Sequence, residues 1–370
     1  MTIQSLFRFA WSGILACCFT VVCVAQDDLS IIGRHVSIRI TPFYQHWDAA
    51  DTSSFAESGV ALSVYLPLSN AIAVSISNTP ANTAGDISSP KGVTDTQLGA
   101  LYHLEDAKLL FSLEMNLPTG KRELTAQEFR NTVLLSNLAF GMVVPQFGQG
   151  FNIKPGVAWS FTPRDDMAVG LGLTYHYKGS YKPVKGVGDY DPGDEFLVTG
   201  GVDFTVAEAT NLSVDAIVTR YGTDVLEGSE IYRPGLKVVG AVQFSKYYEF
   251  NRLLLSARYR SLGKSDVSTT FGTIEKGYAK VEPDNAELQA AYTFHLSDQL
   301  NLTLGAEGRF YQETVAPLSG AKLAGISVTP DLRLSPAVRI PARLRFQIGS
   351  VKGGKSLTGF EAALGAQIDL

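Results

Sequence analysis

Five histidines are the first candidates for chemistry, because a histidine can act as a general base, activate a nucleophile or bind a metal. They are His35, His46, His103, His176 and His295. None stands in an HExxH arrangement or in another paired ligand spacing. His103 and His295 are expected to point inward at the same end of the fold, where a histidine more often hydrogen-bonds than binds metal. We therefore predict no metal site and no cofactor.

Other catalytic arrangements also lack their motifs. No local motif surrounds a histidine with the serine or aspartate of a hydrolase. Glycines at positions such as 170, 172, 200 and 201 are not followed by a helix, as a phosphate cradle requires, and they fit strands that bend or pack closely. The net charge of −5 comes without a basic block. We predict that the protein is not an enzyme and has no nucleic-acid partner.

The first 25 residues have the pattern of a signal peptide. A short positive segment ends at Arg8, the apolar run Phe9 to Val24 follows, and Ala25-Gln26 offers a cleavage point. All three cysteines, Cys17, Cys18 and Cys23, lie in this segment, so no disulfide is expected in residues 26–370. No later segment reaches about 18 consecutive apolar residues, so strands must form any membrane-spanning structure.

A two-residue period of apolar and polar residues runs through residues 26–370. The segments Leu109 to Leu117 and Phe151 to Phe161 show it best, with large apolar side chains on one face and Ser, Asn, Glu or Lys on the other. Seven short connections alternate with eight long ones. We predict an all-β protein, a single antiparallel transmembrane β-barrel of about 16 strands, with short periplasmic turns and long extracellular loops.

Fourteen strands remain the alternative, because Pro330 interrupts the segment Lys322 to Arg333. A large soluble β-sandwich or propeller fits less well, since the chain shows no blade-length repeat. Outward aromatic residues are expected near both ends of the strands, as a bilayer interface selects. We therefore predict export to the bacterial outer membrane, with outer-membrane lipid around the barrel. Homo-oligomer formation stays open.

The last strand places Phe360, Ala362, Leu364, Ile368 and the terminal Leu370 on one face. This pattern resembles the C-terminal signal of outer-membrane barrels, although Leu370 stands where an aromatic residue is usual. The resemblance implies recognition by the outer-membrane assembly machinery.

Charged residues on the polar face are expected to line the lumen. They are Asp95, Glu114, Arg258, Arg260, Arg309, Arg333, Arg339, Arg343 and Arg345. One interpretation is a hydrated lumen with a basic wall opposite an acidic wall, which would orient polar solutes. The other is a set of salt bridges between neighbouring strands that leaves little open water. The sequence supports both equally.

The third long loop, residues 118–150, loses the two-residue period. Residues 123–138 are predicted to form a helix, and an apolar segment that could not lie exposed in water follows. We predict that this loop provides the substrate path or gate. The residues proposed for that role are Leu124, Phe129, Leu134, Phe140, Met142 and Phe147.

Two families share features with this loop. Pro145-Gln146-Phe147-Gly148 is similar to the Pro-Glu-Phe-Gly of the constriction loop of general porins. Leu117-Pro118-Thr119-Gly120-Lys121, the apolar loop and Phe147-Gly148-Gln149-Gly150-Phe151 resemble the layout of outer-membrane transporters for fatty acids and aromatic hydrocarbons. The second resemblance implies an apolar capture site. It departs from that family because only Gln26 to Arg34 precede the first strand, too few for the family's N-terminal plug.

These features together predict passive uptake of small apolar or amphipathic molecules through an outer-membrane channel, gated by the third extracellular loop. The alternatives are a general diffusion porin for small polar solutes and a structural or adhesive barrel without a transport role. The sequence does not identify the solute.

Overall fold

Strands account for most of the chain that the structure describes. The structure, a computed structural model, describes residues 33, 35–49, 53–86, 90–121, 123–268, 274–314 and 319–370, so the predicted signal peptide lies outside the described residues. This part of the chain contains 24 β-segments and one helix. The strands are Ser37–Ala49 (β1), Ser53–Pro67 (β2), Ile72–Asn78 (β3), Ala81–Gly85 (β4), Lys91–Gly92 (β5), Thr96–Leu104 (β6), Leu109–Leu117 (β7), Asn152–Arg164 (β8), Met167–Lys178 (β9), Tyr190–Asp191 (β10), Glu195–Ala207 (β11), Thr210–Tyr221 (β12), Asp224–Leu226 (β13), Ser229–Arg233 (β14), Lys237–Tyr248 (β15), Asn251–Leu262 (β16), Ser265–Ser268 (β17), Ile274–Ala279 (β18), Asn285–Ser297 (β19), Leu300–Tyr311 (β20), Lys322–Ser335 (β21), Val338–Ser350 (β22), Ser356–Leu364 (β23) and Ala366–Asp369 (β24). The helix, α1, is Ala126–Leu135.

Sixteen antiparallel wall strands close into one barrel. In order around the wall they are β1, β2, β3 with β4, β6, β7, β8, β9, β11, β12, β15, β16, β19, β20, β21, β22 and β23 with β24. The first strand pairs with the last, from Ser37 opposite Asp369 to Ala49 opposite Leu357. Closure leaves no free edge in the wall, so each strand finds hydrogen-bond partners on both sides.

The apolar face of each wall strand points outward, as the two-residue period predicts. On β9, Leu171, Leu173, Tyr175 and Tyr177 are between 43% and 50% exposed, whereas inward His176 is buried. Large apolar side chains that remain this exposed all around a barrel form a surface for lipid rather than for water. Outward aromatic residues lie near both ends of the strands, as expected for the two membrane interfaces.

The interior differs between the half of the barrel near the long loops and the half near the short turns. In the loop half, inward polar side chains are buried on most wall strands: Gln45, Glu57, Thr83, Asn152, Glu195, Thr219, Asn285, Arg309 and Gln347. Toward the turns, inward residues such as Ser160, Asp203, Thr205 and Asp215 are exposed. The lumen is therefore lined by exposed polar residues on the turn side and by buried polar residues on the loop side.

Three details differ from the sequence-based expectations or decide between them. The segment around Pro330 forms a strand, and Pro330 lies opposite Leu302 on β20. The wall therefore has sixteen strands rather than fourteen. Helix α1 is shorter than the predicted 123–138, since it spans Ala126–Leu135. Three connections expected to be loops contribute β10, β13, β14, β17 and β18 to a separate five-stranded sheet.

Among the described residues, no helix is long and apolar enough to cross a bilayer.

Candidate functional site

Loop 118–150 is held at its base by Asp95, which immediately precedes β6. The Asp95 carboxylate accepts hydrogen bonds from the Gly120 amide at 2.8 Å, the Gln149 amide at 2.6 Å and the Asn116 side chain at 2.8 Å. Gly120 and Gln149 belong to the two ends of the loop, so one buried carboxylate ties both ends to the wall. Asp95 was predicted as a lumen charge, and the structure places it in this structural role.

Helix α1 begins at a capping box. The Thr125 hydroxyl accepts a hydrogen bond from the Glu128 amide at 3.2 Å, and the Glu128 carboxylate accepts one from the Thr125 amide at 3.0 Å. Lys121 forms an ion pair of 2.6 Å with Glu128. Partial burial opposes ionisation of Glu128, but the hydrogen bonds from Lys121 and Thr125 outweigh it and lower the pKa of this carboxyl. The local sequence thus explains why a helix forms inside this loop.

Beyond the helix, the loop reaches the opposite wall. The Phe140 ring packs edge-on against Trp47 and Phe55, with centroid distances of 5.3 and 4.9 Å. These three rings belong to a larger apolar cluster that also includes Leu135, Met142, Leu323 and Leu357. Burying three aromatic side chains in mutual contact is a strong anchor, because such rings bury large apolar areas.

Backbone groups of the loop add polar contacts to the same wall. The Val143 amide donates to Gln45 Oε1 at 2.9 Å and the Val144 amide to Glu57 Oε2 at 3.0 Å. The Gln45 side chain in turn donates to the Gly141 carbonyl at 3.2 Å. The loop is thus attached to β1 and β2 through backbone atoms, which are present whatever the loop side chains are.

The loop sheet, formed by β10, β13, β14, β17 and β18, covers the other side of the mouth. An apolar cluster joins it to loop 118–150, with Leu124 and Phe129 packed among Tyr181, Val184, Tyr190, Tyr232 and Val281. The Leu124 amide donates to the Pro183 carbonyl at 3.0 Å. Burial raises the pKa values of Tyr181 and Tyr190, so both phenols are neutral. These two coverings of the loop-side mouth therefore contact each other.

The residues predicted as a gate are divided between three clusters. Leu124 and Phe129 contact the loop sheet, Phe140 and Met142 lie in the cluster on the opposite wall, and Phe147 packs with Phe43 and Val144. Leu134 lies in α1, but its side chain is outside the described part of the structure. A cavity of about 10 Å³ beside Leu124 and Phe129 has room for about one water molecule. This cavity is too small for a solute.

Most of the predicted lumen arginines are in ion pairs. Arg345 contacts Glu307 and lies 3.2 Å from Glu361, Arg343 lies 3.5 Å from Glu361, and Arg258 lies 2.6 Å from Glu287. Arg339 contacts Asp331, Arg260 contacts Glu282, and Arg309 lies 3.5 Å from Glu307. Glu114 pairs with Lys154 at 2.7 Å. Within the described residues Arg333 alone of the seven arginines has no acidic partner within 4.0 Å.

These pairs favour the salt-bridge interpretation, from Arg260–Glu282 near the loops to Arg339–Asp331 near the turns. Farther from the loops, however, the side chain of Arg343 is 44% exposed, and Asp203 and Asp215 on β11 and β12 are exposed as well. Strands β11 and β12 lie across the barrel from β23 and β1. Both interpretations thus describe part of the lumen.

Sequence reasoning missed the wall residues that hold the loop. Phe43, Gln45 and Trp47 on β1 and Phe55 and Glu57 on β2 all point inward and are buried. A signal was present, because large aromatic residues stand on the inward face, where most strands carry small or polar ones. Such a residue needs an apolar partner inside the barrel.

A closed antiparallel barrel with an apolar outer band, a polar interior and loops folded into one mouth has the architecture of porin-like outer-membrane β-barrels. No protein-family model matches the sequence, and no curated protein matches it in a sequence comparison.

Solved structures of similar fold are outer-membrane proteins. OccK5 (OpdH) of Pseudomonas aeruginosa is 11% identical over 91% of this chain and 98% of its own, with a TM-score of 0.48. The outer-membrane channel DcaP of Acinetobacter baumannii is 11% identical over 91% and 96%, with a TM-score of 0.46. OprD of Pseudomonas aeruginosa is 8% identical over 90% and 95%, with a TM-score of 0.45. At these identities the similarity concerns the barrel fold alone.

Proposed function

We propose that the protein is a channel of the bacterial outer membrane through which small molecules cross passively. The observation that carries this proposal is the interior of the barrel. Its turn-side half is lined by exposed polar residues, and folded loops cover the loop-side half. A barrel with a purely structural role would not need polar residues exposed to water along the turn-side half of its lumen.

The solutes we propose are small amphipathic molecules. Loop 118–150 holds apolar side chains such as Phe129 and Phe147, buried in the closed state, on one side of the mouth, and the wall under the loop sheet carries charged residues such as Lys178 and Arg260 on the other. A solute with an apolar body and a charged group would satisfy both surfaces. Loop 118–150 forms the constriction in this proposal, and its movement as a gate remains a prediction.

Single-channel recording in a planar bilayer tests transport. We expect stepwise conductance from purified protein that migrates as a heat-modifiable band on a denaturing gel, because that band shows a folded barrel. A preparation with this band and without conductance steps would contradict an open or opening lumen.

Binding of a fluorescent apolar ligand tests the solute class. Phe129→Asp and Phe147→Asp are each expected to weaken binding, because both rings are buried in the mouth. Val143→Asp is the matched control, since Val143 lies in the same loop but is 43% exposed. An equal loss of ligand binding in all three variants would show that a negative charge anywhere in the loop weakens binding, and would contradict a specific apolar site.

A diffusion porin for small polar solutes is the second candidate, favoured by the exposed Arg343, Asp203 and Asp215 away from the loops. Conductance without binding of the apolar ligand would select it. Neither signal would favour an adhesive barrel whose loop sheet binds a partner.

A further inference from the structure

The two coverings of the mouth rest on chemically different parts of the wall. Loop 118–150 rests on an apolar surface, where Trp47, Phe55, Leu323 and Leu357 are all at most 4% exposed. Two buried polar atoms at that contact, Glu57 Oε1 and Arg309 Nε, have no hydrogen-bond partner among the described residues. Large aromatic contacts dominate there and oppose separation.

The wall under the loop sheet is polar. Its inward side chains include Lys178, Glu195, Thr219, Arg260 and Asn285, and all are largely buried. Thr219 Oγ1, Arg260 Nε and Asn285 Oδ1 lack hydrogen-bond partners among the described residues, and so does Glu282 Oε1 in the segment that covers them. A buried polar atom without a hydrogen-bond partner raises the free energy of the closed state, and contact with water would remove this cost. Of the two contacts with the wall, this one is therefore the weaker, and lifting the loop sheet must also separate it from Leu124 and Phe129 of loop 118–150.

Charges on the two sides of this polar contact are complementary. The wall contributes three cations, Lys178, Lys237 and Arg260, and one carboxylate, Glu195, which contacts Lys178. The covering segments contribute two carboxylates, Asp224 on β13 and Glu282 before β19. Glu282 contacts Arg260, and Asp224 lies close enough to Lys178 for electrostatic attraction. Lifting the covering would leave the Arg260 guanidinium without its acidic partner.

We propose that the loop sheet, with the adjoining segment of Glu282, is the element that lifts, and that Lys178, Lys237 and Arg260 beneath it then bind the anionic group of the solute. The Glu282 carboxylate, which contacts Arg260, occupies that place in the closed state. Loop 118–150 stays attached as the fixed side of the opening. This inference rests on the proposed channel function. It further identifies the covering that moves and the sign of the charge on the solute.

Cysteine labelling from outside the cell tests the movement, because residues 26–370 contain no cysteine. Thr219→Cys and Asn285→Cys report on the wall under the loop sheet, and Ala49→Cys and Leu323→Cys on the wall under loop 118–150. All four positions are at most 5% exposed, so each reacts only when its covering lifts. Ser229→Cys, exposed on the loop sheet, corrects for the intrinsic rate of the reagent.

We expect a methanethiosulfonate reagent to label the first pair roughly tenfold faster than the second. Equal rates, the opposite order, or labelling of Ser229→Cys alone would each overturn the proposed movement. Labelling needs no ion current, so this outcome is independent of the conductance test of the channel function.

The charge of the reagent tests the anion site. At Thr219→Cys, a negatively charged reagent is expected to react faster than a positively charged one, and the difference should shrink in Arg260→Gln. Hexanoate should slow labelling, whereas its neutral counterpart hexanamide should not. Equal rates for both reagents, or equal protection by both additives, would overturn the proposed anion site.

Discussion

The Tyr311 hydroxyl donates a hydrogen bond of 3.0 Å to the Leu138 carbonyl oxygen. Tyr311 ends β20, the thirteenth wall strand, and Leu138 lies in the loop that leaves the barrel after β7, the fifth. In a wall of sixteen strands these two lie on opposite sides. One hydrogen bond therefore shows that loop 118–150 crosses the full width of the mouth.

Phe140→Ala is expected to detach the loop from the opposite wall. Removing a fully buried ring from between Trp47 and Phe55 should cost about 3–5 kcal/mol. Val143→Ala, a change at an exposed position of the same loop, is the control. Trypsin cleavage after Arg130 in detergent-solubilised protein measures detachment and should accelerate only in Phe140→Ala. Unchanged cleavage would mean that the backbone contacts to Gln45 and Glu57 suffice.

Asp95→Asn is expected to loosen both ends of loop 118–150. An amide has one acceptor oxygen, so it cannot accept from Gly120, Gln149 and Asn116 together, and each lost partner should cost about 1–3 kcal/mol. Hydrogen exchange at the amides of Gly120 and Gln149 should become faster. Glu114→Gln, which alters an exposed ion pair, is the control and should leave both amides unchanged.

The Arg260–Glu282 pair offers a double-mutant cycle. Arg260→Met should lower the free energy of unfolding by about 3–5 kcal/mol, because Glu282 would stay buried without its cation. The double variant Arg260→Met, Glu282→Met should recover most of this loss. Urea unfolding followed by the gel shift of the barrel measures both. A double variant no more stable than Arg260→Met would show that Glu282 has another essential partner.

Closure of the loop sheet should depend on pH through Asp224. Burial, partly opposed by the Gly193 amide and Lys178, raises the pKa of Asp224 to about 7, and burial also raises the pKa of Glu282. With the sheet lifted, water returns the pKa of Asp224 toward its ordinary value of 3.8. The closed state therefore holds an extra proton between these two pH values.

The extra proton sets the direction in which closure depends on pH. Closure is favoured as pH falls through about 7 and is lost as pH rises through it, by up to about 1.4 kcal/mol per unit. Burial opposes ionisation of Asp284, but hydrogen bonds from Lys280 and others outweigh it and lower the pKa of this carboxyl. Asp284 therefore titrates below the pH range in which Asp224 changes its charge. Open probability measured between about pH 5 and about pH 8 should rise with pH. Asp224→Asn should flatten this dependence, and an unchanged profile would contradict the role of Asp224.

Much of the wall follows from the sequence because its cause is local. On β9 the alternation of Leu171, Leu173 and Tyr175 with Gly172 and Thr174 assigns one face to lipid and the other to the lumen. A two-residue period needs no knowledge of distant residues to make that assignment. Strand number, connection lengths and the inward direction of arginines such as Arg345 were predicted on this basis, and the barrel of sixteen strands is confirmed.

The contents of the mouth depend on contacts between residues far apart in the chain. The sequence showed that loop 118–150 needed an apolar partner, but only the fold brings Phe140 to Trp47, or Asp95 to both ends of the loop. The same holds for the loop sheet, whose strands come from three separate connections. Short, mixed segments carry no period of their own, and their pairing is decided by the barrel that brings their ends together.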